Sequence, residues 1–171
     1  FTVNIALVRE GAPVLGVVYA PACATLYAGC PGAAEAIATD GQHRPLTHRT
    51  ITVRQAGEPL RIVASRSHRT PETDAFVARL RPAELVSIGS SLKFCLLAAG
   101  EADLYPRLGR TMQWDTAAGD AVLRAAGGAT RTLDGAPLCY GSGTAAGDAP
   151  FANPHFIAEG RLPPGALPPF A

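Results

Sequence analysis

The chain has 171 residues and a mass of 17.7 kDa, which suits one ordinary domain or one lobe of a larger enzyme. Hydrophobic residues make up 47% and charged residues 17%, enough apolar material for a core and too much for a disordered chain. Lys plus Arg is 15 and Asp plus Glu is 14, so the net charge of +1 points to no nucleic acid polymer, and no apolar run is long enough to suggest a membrane span.

Residues 1–8 and 13–20 are apolar, β-branched runs separated by Glu10-Gly11-Ala12, which predicts an antiparallel hairpin. The chain opens on this strand rather than on Met, and it reads as the interior of a gene product. Residues 25–28 form a third short strand. Residues 39–50 turn polar, with Asp40-Gly41 and Pro45, and predict a loop or hairpin excursion. Leu60–Ala64 is the next strand. Thr70-Pro71-Glu72 then opens a helix with a capping hydroxyl, Pro at the first position and an acid in the first turn. Phe76, Val77 and Leu80 share its face, and Pro82 ends it.

Leu85–Ile88 is a strand, and Gly89-Ser90-Ser91 leads into a second helix that is apolar nearly all round and therefore buried. Residues 102–105 form a short strand, 115–126 a third helix, and 129–133 and 155–158 the final strands. The Pro- and Gly-rich residues 161–171 predict a trailing extended tail. Alternating strands and helices in the second half indicate an α/β (α+β layered) lobe. Cys23, Cys30, Cys95 and Cys139 have no zinc-site spacing and read as reduced thiols, with Cys95 in the core.

Several segments can carry chemistry. At Gly89-Ser90-Ser91-Leu92-Lys93 a strand meets a helix start, where Ser90 or Ser91 can cap the helix. Lys93 in the first turn opposes the helix dipole, a placement explained by a bound anion such as phosphate. Asp115 sits at a helix start, where it can cap the helix or ligate a hard cation; one carboxylate alone does not make a magnesium site. Asp120 reads as a packing or hydrogen-bonding residue. The segment Ser65-Arg66-Ser67-His68-Arg69 follows a strand and is either a solvated loop or a phosphate grip. Arg107 can bind phosphate bidentately or simply be exposed. A triad of Ser67, His68 and Asp115 has no strand-turn-helix elbow to support it, and Gly141-Ser142-Gly143 reads as a loop.

Taken in order, Gly89 to Cys95, Gly100 to Arg107, Trp114-Asp115-Thr116-Ala117-Ala118-Gly119 and Ala125 to Gly128 resemble the C-terminal lobe of the inositol monophosphatase-like phosphatase superfamily. Residues 1–7, 16–21 and 153–158 also resemble its branch of 3′(2′),5′-bisphosphate nucleotidases, the CysQ type. The resemblance implies the sugar-phosphatase fold of that superfamily. It divides the chain into a remnant of the N-terminal lobe's sheet with a connecting loop (1–58), a C-terminal phosphatase lobe (59–160) and a tail (161–171).

It further implies a magnesium-dependent, lithium-sensitive phosphatase that removes the 3′-phosphate of adenosine 3′,5′-bisphosphate to give AMP, in the setting of sulfur assimilation. Asp115 matches a metal ligand, and His68, Ser90, Lys93 and Arg107 match substrate-contacting positions. The implied location is cytoplasmic, with the inner face of the cell membrane and a homodimer both left open. The alternatives are an inositol phosphate as substrate, or a non-catalytic nucleotide-binding fragment. The family's Asp-Pro-(Leu or Ile)-Asp-Gly-Thr metal segment does not occur among these residues. The 171-residue chain by itself is therefore expected to be inactive.

Overall fold

The computed structural model describes residues 1–65, 70–80, 82–141 and 149–168. Five strands form an antiparallel meander: β1 (Val3–Arg9), β2 (Ala12–Ala20), β3 (Thr25–Cys30), β4 (Ala33–Thr39) and β5 (Pro45–Thr50). The expected hairpin is β1–β2, closed around Glu10 and Gly11, both at positive φ. The polar stretch after residue 39 is the β4–β5 connection followed by strand β5. Sequence reading missed β4, whose Ala-Ala-Glu-Ala-Ile-Ala-Thr run has little intrinsic strand preference; pairing on both sides holds it extended.

The second sheet contains β6 (Leu60–Ala64), β7 (Ala83–Ser87), β8 (Leu104–Arg107), β9 (Ala129–Thr132) and β10 (Phe156–Glu159), in the order β7-β6-β8-β10-β9. Strands β7, β6 and β8 are mutually parallel, and β10 runs antiparallel to β8 and β9. Helices α1 (Pro71–Ala78), α2 (Leu92–Ala98) and α3 (Gln113–Ala125) complete the fold. Thr70 caps α1 as expected, its hydroxyl oxygen accepting the Thr73 N–H at 3.3 Å.

Helices α2 and α3 lie between the sheets. Their Phe94, Leu97, Ala117, Val122 and Leu123 share one core with Ala34 and Ala36 of the first sheet and Val63, Tyr105 and Phe156 of the second. Because successive strand residues face opposite sides, Ile62 next to Val63 points the other way, where it packs with Phe76 and Leu80 around α1. Leu162 and Leu167 pack against this second core, so the described part of the tail lies on the protein surface rather than trailing from it.

Glycines set how closely α3 approaches. A Cβ on Gly16 of β2 would lie 2.1 Å from the Ala118 carbonyl oxygen, and one on Gly29 of β3 2.6 Å from the Val122 Cα. A Cβ on Gly119 would meet Phe94 of α2 at 2.8 Å. Three small-residue contacts therefore bring the sheet, α3 and α2 together and fix where the first turn of α3 stands.

Candidate functional site

The parallel strands β6 and β8 and the segment after β7 all deliver their C-terminal ends to one place. In open α/β sheets this is where ligands bind, because loops diverge there and leave a crevice. Ser65 follows β6, Ser90 and Ser91 follow β7, and Arg107 ends β8. All four line a cleft of about 460 Å³, together with Lys93, Tyr105, Arg110, Thr111, Asp115 and Thr116. The cleft thus holds three cationic side chains and one carboxylate among described residues.

Lys93 is 4% exposed, although it is a lysine in a first helical turn. Its Nζ donates to the Ser90 carbonyl at 2.9 Å and lies 5.2 Å from the centre of the Tyr105 ring. Burial foremost, and then the nearby Arg107 charge, lower its pKa to about 8, against a smaller opposing pull from Asp115. Tyr105 is itself held by edge-on contacts with Phe94 and Phe156 at 5.3 and 5.6 Å, which makes a rigid floor.

Arg107 is also buried, and its guanidinium donates to the Arg110 carbonyl at 2.6 Å. Ser90 has φ of +51°, a left-handed conformation that costs a non-glycine residue on the order of 1 kcal/mol. Neither serine caps α2 with its side chain, contrary to expectation. Ser91 instead donates to the Asp115 carbonyl at 2.9 Å, tying the start of α2 to the start of α3.

Asp115 is exposed in the first turn of α3, and one carboxylate oxygen accepts the Met112 N–H at 3.2 Å. It therefore does what its position predicts at a helix start while its side chain stays exposed in the cleft. Magnesium takes about six oxygen ligands. Among the described residues no group of three His, Cys, Asp or Glu side chains stands together, so Asp115 can supply one ligand and this donor set does not complete a magnesium site. Asp120 is fully buried, paired with Arg124 at 2.8 Å and accepting the Tyr140 hydroxyl at 3.0 Å, a packing role as expected.

Four of the five site positions expected from the sequence, Ser90, Lys93, Arg107 and Asp115, thus line one cleft, although up to 25 residues of chain separate them. His68 lies outside the described residues, as do Arg66, Ser67, Arg69 and residues 142–148. Thr2, just before β1, and Asn4 within it also line the cleft, and sequence reading assigned them no site role. The available signal was their period-two polarity in an otherwise apolar strand, which puts both on one face.

Comparison with known proteins fits this geometry. The inositol monophosphatase family model matches residues 1–161. The chain is similar to the 3′(2′),5′-bisphosphate nucleotidase CysQ of Escherichia coli (strain K12), 47% identical over 140 residues, covering 82% of this chain and 54% of that one. Among solved structures it is similar to CysQ from Bacteroides thetaiotaomicron, with TM-score 0.80, 39% identity, and 94% of this chain and 62% of that one covered. It is also similar to inositol monophosphatase from Anabaena, with TM-score 0.68, 25% identity, and 94% and 59% covered. The chain spans about half the length of the curated CysQ relatives it matches. A match along nearly the whole sequence, on a fold of this topology, makes the chain a member of the inositol monophosphatase family.

Proposed function

We propose that the chain forms the phosphate- and nucleotide-facing wall of a magnesium-dependent phosphatase that converts adenosine 3′,5′-bisphosphate to AMP and phosphate. The carrying observation is the meeting of buried Lys93, buried Arg107 and Ser90 with Asp115 in one cleft. The lowered Lys93 pKa comes first from its burial and then from repulsion by Arg107, and an anion bound between the two cations offsets both costs. A substrate with two phosphates suits a cleft with several cations better than one with a single phosphate. The similarity to CysQ, a 3′(2′),5′-bisphosphate nucleotidase, supports the same choice.

In this reading Arg107 and Lys93 hold phosphate oxygens by charge-assisted hydrogen bonds, and Ser90 and Ser91 shape the turn that receives them. Asp115 gives one carboxylate to the magnesium ion, whose chemistry when bound is to activate water and neutralise phosphate charge. The remaining metal ligands implied by the family resemblance are not in this sequence, so no catalytic step is assigned to the chain's own residues. A cytoplasmic location is part of the proposal. Among the described residues no helix is long and apolar enough to cross a membrane.

The test is isothermal calorimetry of adenosine 3′,5′-bisphosphate with this chain, compared with the variant carrying both Lys93→Met and Arg107→Met. The proposal requires binding by the parent and a loss of at least about tenfold in the variant, since each charged hydrogen bond contributes about 1.5–3 kcal/mol. Equal binding by both would reject it.

A further inference from the structure

The segment Phe151–Asn153 runs antiparallel to the approach to α3 and is joined to it by two backbone hydrogen bonds, which make Met112 and Ala152 bridge partners. The Gln113 N–H donates to the Phe151 carbonyl at 2.8 Å, and the Asn153 N–H donates to the Thr111 carbonyl at 2.9 Å. The Asn153 side chain then reaches further. Its single amide nitrogen donates to the Thr111 hydroxyl at 3.0 Å and to the Thr116 hydroxyl at 3.1 Å. Thr111 precedes α3 and Thr116 follows Asp115, and both line the cleft. Thr116 in turn donates to the Gln113 carbonyl at 3.2 Å. One amide therefore spans the turn that presents Asp115, gripping it on both sides.

The energetics argue against a purely stabilising role. Asn153 is buried, and its side-chain carbonyl oxygen has no hydrogen-bond partner among the described residues. A buried acceptor left unpaired costs free energy that offsets the two bonds its nitrogen makes. What the side chain contributes is geometry: it ties Thr111 and Thr116, on either side of Asp115, to one amide. Local rules are most often broken in this way where a site needs positioning.

We propose that Asn153 is a positioning residue that sets the Asp115 turn by bridging Thr111 and Thr116. This rests on the reading of the cleft as a phosphatase site, but part of its test does not. In this 171-residue chain, amide hydrogen exchange should rise at least fivefold at Met112, Gln113 and Asp115 in Asn153→Leu, while the melting temperature stays within a few degrees of the parent. Unchanged exchange at those amides overturns the proposal whatever the substrate is.

In the protein as its gene encodes it, Asn153→Leu should lower kcat with adenosine 3′,5′-bisphosphate at least tenfold while KM changes less than threefold. Thr116→Val should show the same defect, Thr116→Ser should recover most of it, and the pair Asn153→Leu with Thr116→Val should be no worse than either alone. Unchanged kcat with a lowered melting temperature, or losses that multiply in the pair, would mean a structural role and overturn the proposal. If the parent protein releases no phosphate from this substrate, the functional reading fails, and hydrogen exchange alone decides the role of Asn153.

Discussion

Lys93 shows how a single buried cation can report what its cleft is for. With its pKa lowered to about 8, Lys93 is partly uncharged at pH 8. A bound dianion stabilises the ammonium and raises that pKa, so phosphate binding at pH 8 must take up protons. Calorimetry in buffers of different ionisation enthalpy should detect the uptake, and Lys93→Met should abolish it; proton release would contradict the assignment. The same lowering acts on stability. Between about pH 8 and the ordinary lysine value of 10.5 the unfolded chain binds more protons than the folded one, so this group makes stability rise with pH across that window. At the same scale, Tyr140→Phe removes a donor from buried Asp120 and should cost about 1–3 kcal/mol by denaturant melt. The chemistry-bearing side chains were legible one at a time: a lysine at a helix start and an aspartate after Trp114 each stand out. What could not be read was that Ser91 would serve Asp115 rather than its own helix, because that bond depends on two helices meeting.

At the scale of elements, α3 is placed by what its neighbours lack. Ala at Gly16 would set a methyl carbon 2.1 Å from a backbone oxygen, a contact no side-chain rotation relieves. Gly16→Ala should therefore cost at least about 2 kcal/mol, at the upper end of ordinary overpacking. In a domain of this size that is a fall of roughly 4–8 °C in Tm. A change under about 1 °C would show that α3 is free to shift on the sheet. Gly57, with open space around it, is the control, and Gly57→Ala should change Tm little. Most elements were readable because period and punctuation agreed: the Leu60–Ala64 strand was found to the residue, and Thr70-Pro71 marked the start of α1. Strand β4 was not readable because alanine is silent about strands. The order β7-β6-β8-β10-β9 was not readable because it is a property of long-range pairing.

At the scale of the molecule, the outer side of β1 carries Val3, Ile5 and Leu7, with Ile5 61% exposed, opposite Tyr19, Val17 and Leu15 of β2. A row of exposed apolar side chains on an edge strand invites association. The 171-residue chain should self-associate in sedimentation at micromolar concentration, and Ile5→Lys should reduce it; a parent that stays monomeric would count against this. The family resemblance made the cleft readable in outline, since it named Ser90, Lys93, Arg107 and Asp115 together. The resemblance covered Thr2, Asn4 and Asn153 but assigned them no site role, because their placement depends on the packing of the first strand and on a segment joined to α3 only in the folded chain.

The central claim is that this cleft serves a nucleoside bisphosphate. The most direct measurement is phosphate release by the protein as its gene encodes it, with adenosine 3′,5′-bisphosphate and inositol monophosphate compared side by side, with and without magnesium. The account predicts magnesium-dependent formation of AMP and phosphate from the bisphosphate, at a kcat/KM at least tenfold above that for inositol monophosphate. A preference for inositol monophosphate, or no release from either, would contradict it.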